Sequence, residues 1–128
     1  MRLLGIDYGH KKVGLAISDE SGRFAFPLDV LANNKFLLGK IKEICDREKI
    51  GKIILGESLD LSGRPNAIMV KIKKFAKELK QEIKLPFEFE REFYTSWEAK
   101  RIIDESQTDK MTDARAAALI LKSYIDKH

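Results

Sequence analysis

Residues 3–19 read Leu3-Leu4-Gly5-Ile6-Asp7-Tyr8-Gly9-His10-Lys11-Lys12-Val13-Gly14-Leu15-Ala16-Ile17-Ser18-Asp19. Arg2 to Asp7 and Val13 to Ser18 are short apolar runs separated by a stretch rich in glycine and basic residues. Runs of that length, bounded by turn signals, read as strands buried on both faces. Tyr8-Gly9-His10-Lys11-Lys12 is the turn between them, so the two strands form an antiparallel hairpin. Asp7 closes the first strand. An acid at the end of a buried strand is costly unless water, a partner or a cation compensates it; the simpler alternative is a turn aspartate bonded to nearby amides. Gly5 and Gly9 are expected to leave open space beside the acid, enough to admit a phosphate.

Outward from the hairpin, Asp19-Glu20-Ser21-Gly22 is a second turn, and Arg23 to Leu31 a third strand. Pro27 predicts an edge position for it, because proline cannot donate to a ladder. The period then changes: Leu37, Leu38, Ile41, Ile44 and Cys45 recur at helical spacing within 35–48. Lys52 to Gly56 is a short buried strand. Ser62-Gly63-Arg64-Pro65 makes a loop and a helix start, followed by the apolar stripe Ile68, Ile72, Phe75, Leu79 and Ile83. Pro86 to Glu92 is a fifth strand. Thr95 or Ser96 caps a helix to about residue 105, with Glu98 in its first turn. A last helix opens at Thr112 or at Asp109, with Ala114, Ala117, Ala118, Leu121 and Ile125 on its apolar face.

The order β-β-β-α-β-α-β-α-α predicts an α/β fold: one domain over residues 1–128, with a mixed five-stranded sheet and helices on both faces. Right-handed crossovers place the first and fourth strands parallel and adjacent. Ligands of open α/β sheets sit beyond the carboxyl ends of such strands, and Asp7, Glu57 and Glu92 all fall at those ends.

Composition sets limits around this. At 128 residues and 44% hydrophobic, the chain can bury a core without a metal or disulfide staple. Cys45 is the single cysteine, so no intrachain disulfide forms, as expected in a reducing compartment. No apolar run approaches the ~20 residues that cross a bilayer, and Asp7 interrupts what would be a signal peptide's apolar region; a cytoplasmic protein is expected, without a membrane partner. Lys and Arg number 24 against 20 Asp and Glu, a net charge of +4. That permits a nucleic-acid partner without requiring one.

Acids from separate elements suit hard divalent cations, which take oxygen ligands and can activate water against a phosphodiester. The candidates are Asp7, Glu57, Glu92 and Asp113, with Asp109, Asp60 and Glu90 behind them. Among so many acids, any one taken singly is most simply a solvated surface residue. His10 reads as an exposed turn histidine before a phosphate contact, and Trp97 as a core aromatic before a base-stacking one. There is no His/Cys zinc spacing and no Ser-His-Asp context, and Gly5-Ile6-Asp7-Tyr8-Gly9 lacks the Lys-Ser/Thr ending of a phosphate loop.

Four blocks together resemble a known family. Leu4-Gly5-Ile6-Asp7-Tyr8-Gly9 with Lys12-Val13-Gly14-Leu15-Ala16-Ile17-Ser18-Asp19 is similar to the opening of the YqgF family. Leu55-Gly56 with Leu59 and Ser62-Gly63 resembles its Gly-Leu-Pro-Leu-Asn-Met-Asp-Gly loop. Thr95-Ser96-Trp97-Glu98-Ala99 resembles its Thr-Thr-x-Glu-Ala helix start, and Asp113 to Leu121 with Tyr124 its final helix. The resemblance implies an RNase H-like fold, similarity to Holliday junction resolvases and a nuclease of pre-16S ribosomal RNA. It implies Asp7, Glu92 and Asp113 as catalytic acids; on the nuclease reading these hold Mg²⁺ or Mn²⁺, and Lys11, Lys12, Arg64, Thr95 and Ser96 contact nucleic acid. Two departures stand out. The family's Asp-Glu-Arg reads Arg91-Glu92-Phe93 here, and its Gly-Leu-Pro reads Gly56-Glu57-Ser58. Because Glu57 ends the fourth strand, it is a candidate fourth catalytic acid, against the alternative of a solvent-facing loop glutamate.

Three functions follow in order: a metal-dependent nuclease on structured RNA, more than on DNA; a non-catalytic nucleic-acid-binding factor in ribosome maturation; and a Holliday junction resolvase, which needs a dimer to cut symmetrically. A monomer or weak homodimer is expected, since no dimer stripe stands out beyond ordinary amphipathic helices.

Overall fold

The computed structural model describes residues 1–58, 67–92 and 111–128. Strand β1 (Arg2–Tyr8) and strand β2 (Lys12–Ser18) form the expected antiparallel hairpin, with Asp7 opposite Gly14 and Tyr8 opposite Val13. Strand β3 (Ala25–Ala32) lies outside β2 at the sheet edge, and Pro27 sits at a register shift, Leu15 facing Asp29 and Ala16 facing Pro27. An edge bulge is where proline does least harm. The strand starts later than Arg23 for a local reason. Arg23 N and Phe24 N donate to Asp19 Oδ1 at 2.8 and 3.0 Å, closing the turn instead of joining the ladder. The Ser21 hydroxyl and these amides hold the Asp19 carboxyl well below its ordinary range. Asp19 is thus a turn staple.

Helix α1 (Leu37–Arg47) leads to β4 (Ile50–Ser58), helix α2 (Met69–Glu82) to β5 (Phe87–Glu92), and helix α3 (Thr112–Lys127) closes the chain. The sheet order is β3-β2-β1-β4-β5, with β4 parallel to both β1 and β5. The carboxyl ends of β1, β4 and β5 therefore share one edge. The expected helix over 95–105 and the loop at 62–65 lie outside the described residues.

Each face of the sheet has its own apolar layer. Leu4, Ile6, Leu15, Ile53 and Leu55 pack under α1 and α2 against Ile41, Ile72 and Leu79. Leu3, Ala16 and Ile54 pack under α3 against Ala117, Ile120 and Leu121. Each fully buried Leu or Ile contributes about 2 kcal/mol. Among the described residues no helix is long and apolar enough to cross a membrane.

Small residues bring α3 down onto the strands. A Cβ at Gly5 would lie 3.0 Å from Leu121 Cβ and 3.1 Å from the Ala117 carbonyl oxygen. A Cβ at Gly9 would lie 2.6 Å from the Lys12 carbonyl oxygen. The open space expected at these two glycines is therefore absent. One is filled by α3 and the other by the tight turn itself.

The far end of α3 is tied down by polar contacts. Buried Glu90 accepts hydrogen bonds from Ser123 Oγ and Lys127 Nζ, both at 2.7 Å. Lys52 Nζ donates to the Tyr124 hydroxyl at 2.8 Å and pairs with Glu88 Oε1 at 3.2 Å. Hydrogen bonds to Tyr124 and then Lys52 hold Glu88 below its ordinary value of 4.5, and bonding to Tyr124 and then Glu88 holds Lys52 above 10.5. A depressed carboxyl stabilises the fold fully above its unfolded value and loses that contribution as pH falls through the lower folded value. A raised ammonium stabilises fully below its unfolded value and loses that contribution as pH rises through the higher folded value. The melting temperature of the wild type is accordingly expected to exceed that of Glu88→Gln at neutral pH, by a small margin. Circular-dichroism melts should show the margin closing once the pH drops below 4.5; a margin constant with pH would break the link to the carboxylate.

Candidate active site

Strand alternation decides which acids meet. Leu3 and Gly5 lie under α3, and Asp7 continues their row. Asp7 is 5% exposed, so its carboxylate sits within the body of the protein and not on a solvated turn. Its cross-strand partner is Gly14. The backbone of Asp113 rests on that glycine so closely that a Cβ at Gly14 would fall 1.9 Å from the Asp113 carbonyl oxygen. Asp113 lies in the first turn of α3 and is half-buried. A carboxylate there complements the positive helix terminus. Two acids more than a hundred positions apart in sequence thus reach the same corner, on the same face of the sheet.

Glu92 is the last residue of β5, opposite Ser58 in register. Position 92 stands two strands from β1 and two residues beyond Glu90. Its side chain lies outside the described residues, as do Arg64, Thr95, Ser96, Asp60 and Asp109. Glu90 is not available to the site, because Ser123 and Lys127 occupy its carboxylate.

The structure does not bring Glu57 to this corner. Position 57 follows the row of Ile53 and Leu55, which faces α1 and α2, on the opposite side of the sheet from α3. Glu57 Oε1 stands 4.0 Å from Arg91 Nε. Glu57→Gln is therefore expected to cleave within about two-fold of the wild-type rate, since a half-exposed ion pair contributes little. A loss in kcat comparable with that of Asp7→Asn would return Glu57 to the catalytic acids.

Lys11 on the β1–β2 turn and Lys12 at the start of β2 are exposed, just beyond Asp7. His10 is exposed as expected, and its Nδ1 meets Lys71 Nζ of α2 at 3.2 Å. The turn is held from the side: Asn33 Nδ2 donates to the Gly9 carbonyl at 2.8 Å, and Asn33 N to the Lys11 carbonyl at 2.9 Å.

The donor set at the corner is carboxylate oxygen, the chemistry that Mg²⁺ and Mn²⁺ prefer. Among the described residues no three His, Cys, Asp or Glu side chains gather around a common point. Of the three nominated acids, Asp7 and Asp113 fall within the described residues, on one face of the sheet. Sequence reasoning passed over Gly14, the residue on which the backbone of Asp113 rests. Its signal was present, since a glycine inside an apolar strand marks close backbone approach.

The sheet order, the α3 layer and the carboxylate corner define an RNase H-like α/β protein. Solved structures share the fold. Thermus thermophilus RuvC in complex with a Holliday junction substrate aligns with a TM-score of 0.60 at 15% identity, covering 99% of this chain and 96% of that one. The fowlpox virus Holliday junction resolvase aligns at 0.55 and 16% identity, covering 99% of each. The chain belongs to the family described as RuvX: Holliday junction resolvase, whose model matches residues 1–127. Among its relatives, a protein of Protochlamydia amoebophila is 35% identical over 98% of this chain and 93% of its own length. One of Dictyoglomus turgidum is 32% identical over 98% and 94%. Both bear the name "Putative pre-16S rRNA nuclease".

Proposed function

We propose that this chain is a divalent-metal-dependent nuclease that hydrolyses phosphodiester bonds in structured RNA, acting in the cytoplasm on pre-16S ribosomal RNA. One observation carries the reading: buried Asp7 lies beside Gly14, and the first turn of α3 at Asp113 rests directly on that glycine. Family membership and the names of the relatives supply the substrate class.

Asp7 and Asp113, with Glu92 as the third acid, would hold Mg²⁺ or Mn²⁺. Strands lie about 4.8 Å apart and rise about 3.3 Å per residue. The backbone at position 92 is then about 12 Å from that at position 7, within reach of carboxylates that share a cation pair about 4 Å across. When bound, the cation supplies Lewis acidity toward the phosphoryl oxygens and makes water a stronger nucleophile at neutral pH. The protein's own part is to fix the acids in place before substrate arrives. Asp7 is held by the β1–β2 ladder, Asp113 by the contact of α3 with Gly14. Lys11 and Lys12 neutralise phosphates next to the scissile one and set the register of the backbone. Arg64, Thr95 and Ser96 are proposed as further contacts.

The test is cleavage of labelled pre-16S RNA by the purified chain with Mg²⁺, with Mn²⁺ and with EDTA. Product in the presence of either metal and none in EDTA is expected. Full-length substrate persisting at micromolar enzyme with both metals would end the proposal. A resolvase acting on four-way DNA junctions is the second reading, favoured by the family description and the fold. It requires a dimer, so a monomeric mass by light scattering without junction binding removes it.

A further inference from the structure

The acids occupy the α3 side of the carboxyl edge. On the other side of the same edge, three separate segments present a different set of groups. The β1–β2 turn carries His10 and Lys11; the segment after β3 carries Lys35 and Phe36; the first turn of α2 carries Lys71. These segments are joined by contacts already described, Asn33 to the β1–β2 turn and His10 to Lys71.

Three features set this surface apart. Among the described residues, Lys11, Lys35 and Lys71 form no ion pair. At the opposite edge Arg2 is paired with Glu48 and Glu20, and Arg47 with Glu48. Second, Phe36 is 57% exposed at the start of α1, though Leu37 beside it is buried. Its ring carries Lys35 Nζ at 5.3 Å from the centroid. An aromatic face left to solvent beside an ammonium is a surface on which a base can stack, with the cation placed for the adjoining phosphate. Third, an ammonium can only donate, so His10 Nδ1 accepts from Lys71 and its Nε2–H remains a donor directed elsewhere.

We propose that this rim, with Phe36 as a stacking platform and Lys11, Lys35, Lys71 and His10 as phosphate contacts, binds a single-stranded segment of nucleic acid that leads to the carboxylate corner. The proposal rests on the nuclease reading and adds to it a requirement for unpaired bases beside the cleaved bond. Stacking selects them, because a duplex hides its base faces and offers only its backbone to the lysines. The platform is rigid where it needs to be: Phe36 N donates to Asn34 Oδ1 at 2.9 Å, and Leu37 N to the Asn34 carbonyl at 3.1 Å.

The experiment is fluorescence anisotropy in EDTA, with a labelled single-stranded oligoribonucleotide and the duplex of the same sequence, over a range of KCl concentrations. Phe36→Ala is expected to weaken single-strand binding by about five-fold or more, the loss of one stacked base, and to change duplex binding by less than about two-fold. Phe36→Trp should restore it. Lys71→Ala should reduce the slope of log K against log salt by about 0.7, one phosphate contact on a single strand. Both positions are exposed, and unchanged thermal melts will show that the variants fold. If Phe36→Ala and Lys71→Ala both bind single strand with wild-type affinity and salt slope, the track is overturned, and cleavage by those variants would leave the nuclease reading intact. If the wild type binds single strand as described but cleaves nothing with any metal, the nuclease reading fails and the track stands.

Discussion

Asp7→Asn is expected to lower the cleavage rate by about a thousand-fold or more, a rise of about 4 kcal/mol in the barrier, while the protein folds as before. The substitution keeps the shape of the side chain, removes its charge and turns one acceptor oxygen into an amide donor. Strand β1 therefore keeps its register with β2, Gly14 still receives α3, and the apolar layer of Leu3, Ala16 and Leu121 is untouched. What is lost is the anion that, in the proposed function, would bind a dication at the corner. A carboxyl group that is 5% exposed has given up most of its hydration. Replacing it with a neutral amide is expected to move the melting temperature by no more than a few degrees. Single-turnover cleavage and a thermal melt on the same preparation test both halves. An Asn variant that cleaves at the wild-type rate places the chemistry elsewhere; one that fails to fold makes Asp7 a structural residue.

The hairpin was legible in the sequence because its two apolar runs have strand length and are bounded by turn residues. The parallel neighbourhood of β1 and β4 followed from crossover handedness, and the edge position of β3 from Pro27. Glu57 shows where reading stops. A strand buried on both faces loses the alternation that reports which face a residue takes. With Ile53, Ile54 and Leu55 all apolar, the side of the sheet taken by Glu57 could not be read, and only the packing of Ile53 and Leu55 under α1 and α2 reveals it. Glu90 hides for a different reason. It stands among the reserve ligands in the sequence, yet α3 covers it and supplies Ser123 and Lys127 as partners. Glycines are ambiguous in a third way, since the sequence reports a missing side chain and not what fills its place. Gly5 and Gly9 are filled by protein, and Gly14 is the one that receives the first turn of α3.

Gly14→Ala should accordingly damage stability and activity together. The added methyl would fall 1.9 Å from the Asp113 carbonyl oxygen, 2.2 Å from its carbon and 2.9 Å from Ala114 N, all backbone atoms that no rotamer change can remove. Ordinary contact begins at 3.4 Å, so the first turn of α3 must move by about 1.5 Å. The helix cannot lift as a whole, because Leu121 lies against Gly5 and Ser123 and Lys127 are bound to Glu90; it must tilt away at the end that carries Asp113. Overpacking of this kind costs about 1–3 kcal/mol or more. That outweighs the gain of about 0.4–1 kcal/mol from a stiffer unfolded chain, so the melting temperature falls. Displacing a catalytic group by about 1 Å can cost about a hundred-fold in rate, and here the displacement parts Asp113 from Asp7. Because the loss lies in gathering ligands for the cation, raising the Mg²⁺ concentration should recover part of the rate in Gly14→Ala and none of it in Asp7→Asn. A thermal melt and a metal titration of the cleavage rate separate the two. If Gly14→Ala melts and cleaves like the wild type, the first turn of α3 does not rest on β2, and Asp113 has no structural claim to the place beside Asp7.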